Sequence, residues 1–519
     1  MSAHDRAPAA RRGRDRKAVV LPAHPGRPAA EGPRPRCAVV GGGIAGVAAA
    51  TALAERGVRV TLYERETSLG GRLAGWPTEL ADGSAVTMSR GFHAFFRQYY
   101  NLRGLLRRVD PGLDRLRPLP DYPLRHSSGL HDSFARVPRT PPWSAVGFTA
   151  LSPSFGARDL ARMNPRAALP LLDVRVPEIH RRYDGSSALE LLDRIRFPSA
   201  ARHLAFEVFS RSFFADPAEL SAAELALMFH IYFLGSSEGL LFDVPDEPYP
   251  QALWDPLGRY LEGHGADIRT GTAVTGLRPA PQGGHLIDTA RATEHADAIV
   301  LALDTGGLRT LTAASPRLGD EAWRTRIGRL RTAPPFLVSR IWLDRPVAAH
   351  RPGFLGTSGY GPLDNISVLD AWEGEAARWA AKTGGAVLEL HAYAADPAAP
   401  PEALSRALTE QLHRVYPETS AARVIDRRDE WRQDCPLFAV GGGADRPTVD
   451  TPDPTVTVAG DLVRTDLPVA LMERAATTGF LAANAHLRRW GLRGQTLWTV
   501  PDRGRSGLLR LLARHFGEG

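Results

Sequence analysis

Cysteine and lysine are both scarce in this 519-residue sequence, which holds two of each: Cys37, Cys435, Lys17 and Lys382. The cysteines lie far apart and outside any CxxC or Cys/His spacing, which argues against a disulfide framework or a structural zinc site, so no metal is expected. A reducing, cytoplasmic setting fits this usage. Long apolar runs are also missing. The most apolar stretch, residues 225–234 (LALMFHIYFL), is ten residues long and contains His230, well short of the ~20 that a membrane-spanning helix needs. The N-terminal region, rich in Arg, Pro and Ala, lacks the apolar centre of a secretory signal.

What is present is a globular composition, with 43% hydrophobic and 23% charged residues. A chain of this length can bury a large core and divides into two domains or one two-lobed unit. The net charge of +7 is unevenly placed: residues 1–36 carry +6 and residues 487–519 carry +5, leaving the body between them at −4. Nucleic-acid readers interleave basic and aromatic residues on a folded face, and that pattern is missing, so no nucleic-acid partner is expected. Basic ends on a near-neutral body suit an anionic membrane surface instead. Residues 1–34 read as a disordered basic tail, and residues 493–519 as a basic amphipathic one. In the latter, residues 506–516 (SGLLRLLARHF) bring Leu508, Leu511, Leu512 and Phe516 near one helical face.

Periodicity sets the organisation. Residues 37–40 (CAVV) form a buried strand, residues 44–56 an alanine-rich helix stopped by Gly57, and residues 58–63 a second strand. This β-α-β unit implies a parallel sheet with a right-handed crossover. Residues 110–245 read as mainly helical with proline-rich breaks, and 296–303 as a buried strand. Further on, 336–343 and 386–392 read as strands, 401–415 as a helix, 455–459 as a strand and 469–490 as a long helix.

Between the first strand and its helix lies a GxGxxG turn through Gly41, Gly43 and Gly46. Such a turn brings a pyrophosphate against the free N–H groups of a helix start, here Ile44 and Ala45. Glu64 closes the second strand at the spacing of a carboxylate that accepts from ribose hydroxyls. An acid rather than an arginine favours an unphosphorylated adenosine ribose, common to NAD and FAD.

The next run, residues 68–73 (SLGGRL), follows with a glycine pair and an arginine fork suited to phosphate. Gly70, Gly71 and Arg72 resemble the second phosphate and ribityl contact of the flavin amine oxidase and carotene desaturase superfamily. Gly460 and Asp461, followed by Val469, Ala470 and Leu471 at a helix start, resemble the same superfamily's ribityl acceptor and flavin-edge helix. Val274 matches its adenine contact, and Arg65, Arg90 and Gly91 belong to the same pattern. These pieces imply FAD, held in an α/β fold: a discontinuous Rossmann-type FAD-binding domain (35–110, 245–305 and 440–492) with a mixed α+β substrate-binding domain (111–244 and 306–439).

Residues 89–103 and 228–243 resemble carotene desaturases and carotenoid isomerases. Residues 470–479 (ALMERAATTG) and 498–505 (WTVPDRGR) are similar to the carotenoid aromatic-ring synthases of the phi-ring, isorenieratene-forming type. The resemblance implies a peripheral membrane enzyme of carotenoid biosynthesis on the cytoplasmic face. It would aromatise the β-ionone rings of β-carotene by desaturation with methyl migration and pass electrons to a quinone. His93, His230, Glu238 and Asp243 are the candidate proton acceptors. A carotene desaturase, a redox-neutral carotenoid cis-trans isomerase and a flavin-binding scaffold are the alternatives. An amine oxidase is disfavoured, because neither lysine falls in a cofactor motif and many members of that group use one beside the flavin.

Overall fold

The computed structural model describes residues 15–205 and 213–517. Its nucleotide-binding part is built on five parallel strands in the order Asp267–Arg269, Arg59–Tyr63, Arg36–Val40, Ala298–Leu301 and Val456–Val458. The helix Ile44–Ala54 is buried along its whole length. It is alanine-rich because it lies between that sheet and the long helix Leu471–Arg489, where only small side chains fit. A Cβ at Gly479 would lie 2.2 Å from the Ala45 carbonyl oxygen.

The expected strand at 296–303 is two elements. Thr293–Ala296 belongs to a three-stranded antiparallel sheet, and Ala298–Leu301 to the parallel one. Asp297 makes the break: its carboxylate accepts from the Arg36 amide at 2.7 Å, and its own amide donates to the Arg36 carbonyl at 2.9 Å.

A second sheet of seven strands runs Val424–Arg432, Phe336–Leu343, Ala386–Ala392, Asn365–Val368, Phe354–Ser358, Leu124–His126 and His131–Asp132. All neighbours are antiparallel except the Phe354–Ser358 and Leu124–His126 pair. The helix Pro401–Val415 packs on it, burying Leu408, Leu412 and Val415. Residues 110–245 supply short helices, among them Trp143–Leu151, Ala188–Ile195 and Ala222–Phe229, but also strands at Leu116–Pro118 and Phe242–Pro245 that the helical reading omits. The apolar run at 225–234 is the end of Ala222–Phe229 continued by a π-helical turn, His230–Leu234, entirely buried.

The N-terminal expectation needs correction. Residues 1–14 lie outside the described residues, but 15–34 are ordered rather than a loose tail. Val19–Leu21 pairs antiparallel with Leu497–Thr499. Buried Asp15 accepts from the amides of Lys17 and Ser237, each at 2.8 Å, and pairs with Arg505. The two basic ends therefore meet through a shared carboxylate and a shared strand pair, neither visible from either end alone. Residues 518 and 519 of the C-terminal segment lie outside the described residues as well. No helix among the described residues is long and apolar enough to cross a membrane.

Candidate functional site

The dinucleotide turn is shaped by close backbone approach. Gly41 has a φ of +110°, and a Cβ there would lie 2.2 Å from the Ala302 carbonyl oxygen; one on Gly46 would lie 1.8 Å from the Gly41 oxygen. Any larger residue separates strand from helix. Gly43 begins the helix, with no side-chain cap among the described residues, so the first-turn N–H groups at Ile44 and Ala45 remain donors. The Glu64 carboxylate accepts from the Gly42 amide at 2.7 Å and the Glu66 amide at 2.9 Å. Thr272 donates its amide to the Glu64 carbonyl at 2.8 Å, which brings the segment leading to Val274 beside the acid. Arg65 is exposed and ion-paired with Glu66 and Asp304, so its side chain serves the surface.

The second and third motifs converge on the first. The Gly70 amide donates to the Gly42 carbonyl at 2.9 Å, and a Cβ on Gly71 would come within 3.2 Å of the Gly43 Cα. Arg72 reaches Asp461, with Nη2 2.5 Å from Oδ1. Residues 389 positions apart in sequence thus meet across one cradle.

The long helix Leu471–Arg489 starts without a side-chain cap among the described residues, and Leu471 takes a left-handed φ of +52°. Buried Arg474 fixes this start: Nε donates to the Val469 carbonyl at 2.9 Å and Nη1 to the Asp461 carbonyl at 3.2 Å. Its Nη2 pairs with Glu224 at 2.7 Å, and Arg446 takes the other Glu224 oxygen at 2.6 Å. Burial alone would raise the Glu224 carboxyl, but the two guanidinium groups hold it at about 2.

Next to Val469 and Ala470, the buried Gln98 leaves both its side-chain nitrogen and oxygen without partners among the described residues. Glu473 lines the same small cavity. It accepts from the amides of Asn101 at 2.8 Å and Leu102 at 3.0 Å, and burial pushes its carboxyl up to about 8. Facing glycine turns, an uncapped helix start and an orphaned amide fit a flavin dinucleotide, whose anionic and pyrimidine parts need those donors.

The candidate proton acceptors divide. His93 belongs to the cradle's surroundings: its Nδ1 is 2.9 Å from the Gly91 carbonyl, Tyr249 donates to the same carbonyl at 2.8 Å, and burial holds the imidazole down at about 4. Arg90 pairs with Asp434. The others are committed to packing. His230, fully buried, bonds the Pro501 carbonyl through Nε2 at 2.7 Å. Glu238 accepts from the Tyr100 hydroxyl at 3.1 Å, and Asp243 is clamped by Arg97 at 3.0 Å and Arg103 at 2.7 Å. Each has a structural reason to be there, which a lone polar residue in an apolar stretch does not reveal.

Sequence reasoning missed a buried network on the second sheet. Arg340, Glu389, His391 and Tyr393 lie under the segment that carries Gly91 and His93. The available signal was the alternation at 389 and 391, which puts two polar side chains on one face of an otherwise apolar strand, with Tyr393 just past its end.

Known proteins resemble this chain in sequence and in fold. The model of the family described as flavin containing amine oxidoreductase matches residues 44–487. A carotenoid phi-ring synthase of Streptomyces griseus is 72% identical over 513 residues, covering 99% of each chain. A carotenoid phi-ring synthase of Chlorobaculum tepidum (strain ATCC 49652 / DSM 12025 / NBRC 103806 / TLS) is 27% identical over 90% of this chain and 91% of its own. Among solved structures, cyclohexylamine oxidase from Brevibacterium oxydans IH-35A shares the fold with a TM-score of 0.63 at 15% identity, over 88% of this chain and 100% of that one. FAD is the cofactor that these motifs serve. From the N-terminal glycine turn to the flavin-edge helix, the chain belongs to the flavin-containing amine oxidoreductase family, in the group of the carotenoid phi-ring synthases.

Proposed function

We propose that this protein converts the β-ionone rings of β-carotene into aromatic phi rings by FAD-dependent desaturation with migration of one geminal methyl group. The observation that carries this reading is the 72% identity, over 99% of both chains, to the Streptomyces griseus synthase. Bound FAD supplies the two-electron acceptor for each dehydrogenation.

The chain's own residues bind, orient and shield. Glu64 would accept from the adenosine ribose hydroxyls, and Val274 would contact the adenine. The amides at Gly43, Ile44 and Ala45, with Gly70, Gly71 and Arg72, serve the phosphates. Asp461 would accept from a ribityl hydroxyl, and the helix start at Val469, Ala470 and Leu471 would offer its N–H groups to the flavin's pyrimidine part. A ring cation must be kept from water while the methyl group moves. The large apolar cluster of Phe148, Phe213, Ile231, Tyr232, Phe233 and Phe336 suits that task. Lys17 and Lys382 are both exposed, which is consistent with chemistry that uses no lysine at the flavin.

The division of the chain follows the two sheets: 35–110, 245–305 and 440–492 hold FAD, while 111–244 and 306–439 hold the carotene. A membrane quinone is the electron acceptor, because it shares the carotene's phase. Docking on an anionic, cytoplasmic membrane face is supported by two helices with exposed apolar side chains. Trp143, Val146 and Leu151 project from Trp143–Leu151, and Leu508, Leu511 and Phe516 from the C-terminal helix Gly507–Phe516. The first helix packs on the π-helical turn at His230–Leu234, and the second on the turn Leu169–Asp173, which itself touches that π-helix. Exposed Arg136, Arg139, Arg158, Arg162 and Arg514 provide the cationic complement.

Expression in a β-carotene-accumulating host, followed by mass measurement of the pigments, tests the reading. Loss of four or eight hydrogens at constant carbon count is the expected result. Unchanged mass with altered geometry indicates an isomerase, and unchanged pigment overturns the reading.

A further inference from the structure

Aromatisation needs a base as well as a hydride acceptor, since the ring cation left after the methyl shift becomes an alkene only by losing a proton. Of the four candidates read from sequence, Glu238 and Asp243 are occupied by structural bonds, and the His230 and His93 rings are each anchored through one nitrogen, to the Pro501 and Gly91 carbonyls.

The second sheet offers a better-organised group. Arg340 on Phe336–Leu343 stands directly opposite Glu389 on Ala386–Ala392. Its guanidinium donates to one Glu389 oxygen at 2.8 and 3.1 Å, and also to the Thr87 carbonyl at 2.8 Å and the Ser89 hydroxyl at 2.7 Å. The other Glu389 oxygen accepts from the Phe92 amide at 2.7 Å and lies 2.8 Å from His391 Nε2. Burial alone would raise the Glu389 carboxyl, yet Arg340, followed by His391, holds it at about 2, so it is an anion throughout. An anion at Nε2 keeps the imidazole proton on that nitrogen and leaves a lone pair on Nδ1. There the Tyr393 hydroxyl lies at 2.6 Å, and the same hydroxyl accepts from Asn365 at 2.8 Å.

The position fits the chemistry. A Cβ on Gly91 would lie 2.7 Å from His391 Cε1, so the segment leading to His93 rests on this imidazole. On its other side, the Tyr393 ring meets Phe214 at 4.9 Å and packs on the apolar cluster that Ala470 and Leu471 of the flavin-edge helix also join. Tyr393 therefore stands where a charged network meets the apolar region.

Building on the proposed function, we infer that Tyr393 accepts the ring proton released after the methyl shift, with His391 and Glu389 as positioning residues behind it. The ring C–H bond breaks and its electron pair becomes a ring double bond. The proton goes to the Tyr393 oxygen while the tyrosine's own proton passes to His391 Nδ1, and the resulting imidazolium is stabilised by the Glu389 carboxylate. No electrons are exchanged in this step, so it needs no oxidant.

The test uses FAD-loaded protein and β-carotene in vesicles, with flavin reduction followed anaerobically and aromatic product followed by mass. Tyr393→Phe is expected to retain FAD and reduce it at the wild-type rate while aromatic product forms on the order of 100-fold more slowly, the range of a lost general base. In His391→Gln, deuterium at the departing ring position is expected to slow product formation while flavin reduction is unmoved, an effect that a packing defect does not produce. This second variant also carries the test if Tyr393→Phe fails to hold flavin. Aromatic product at the wild-type rate from Tyr393→Phe, or no isotope effect in His391→Gln, overturns the relay alone. A wild-type protein that leaves the pigment mass unchanged overturns the functional reading and the relay with it.

Discussion

The two sheets solve different problems. In the parallel sheet the proposed FAD contacts are glycines and one carboxylate at the strand ends, so backbone N–H groups would meet most of the ligand. In the seven-stranded sheet the strand centres carry Arg340, Glu389 and His391, all buried. A charged cofactor brings its own charges and needs only donors at fixed places. A hydrocarbon brings none, so the polar groups that act on it must be supplied and neutralised inside the protein. The difference predicts that breaking the buried Arg340–Glu389 pair mainly damages the fold, whereas removing the Glu64 carboxylate mainly damages cofactor retention.

The sharpest test is Arg340→Leu. It leaves Glu389 buried without its main partner and is expected to cost about 3–5 kcal/mol of stability, read by denaturant unfolding. A loss below about 1 kcal/mol would erase the contrast between the sheets. Glu64→Ala should instead weaken FAD retention by about 1.5–3 kcal/mol, the worth of hydrogen bonds to a charged group, and cost the apoprotein a smaller amount, about 1 kcal/mol, through the Gly42 and Glu66 amides that lose their acceptor. Equal damage to fold and cofactor would break the comparison from the other side.

Acid titration gives a smaller, graded effect. Glu224 and Glu389 are both held at about 2 in the folded chain. Their stabilisation is complete above the ordinary glutamate value and is lost as pH falls towards 2, because the unfolded chain takes up protons first. Each should contribute a slope of up to about 1.4 kcal/mol per pH unit in that window. Glu224→Gln should remove one share of the slope, and an unchanged slope would mean that Glu224 is not ionised when folded.

The smallest expected effect on the flavin comes from deleting residues 506–519. FAD content should not change, while sedimentation with anionic vesicles weakens by about 1 kcal/mol for each arginine removed. Normal vesicle binding by the shortened chain, or loss of its flavin, would remove this helix from the docking surface.

Much of the nucleotide-binding half was legible because its signals are local. The turn at Gly41–Gly46, the acid at Glu64 and the pair at Gly70–Gly71 lie within 31 positions, and their spacing implies their geometry. Strands Phe336–Leu343 and Ala386–Ala392 were also readable from their apolar content. The relay was not, since the meaning of Glu389 depends on Arg340, 49 residues earlier and on another strand. The ordering of residues 15–34 depends on Leu497–Thr499 at the other end of the chain. The setting of His230 was hidden for a related reason: its partner, the Pro501 carbonyl, is 271 residues away.

That reach has a consequence for how the protein is made. The helix Ile44–Ala54 is buried on every side, and one of its covers is the helix beginning at Leu471. A ribosome adding about 5–20 residues per second needs roughly 20–80 s to travel between them. During that interval an alanine-rich helix and an unfinished parallel sheet stand exposed. The proposed FAD cradle is incomplete until Asp461 and the helix behind it have emerged, so cofactor loading is expected to follow synthesis. Yield of active enzyme is then set by how well the nascent N-terminal third is protected from aggregation, and slower growth at lower temperature or added chaperone should raise the flavin occupancy of purified protein.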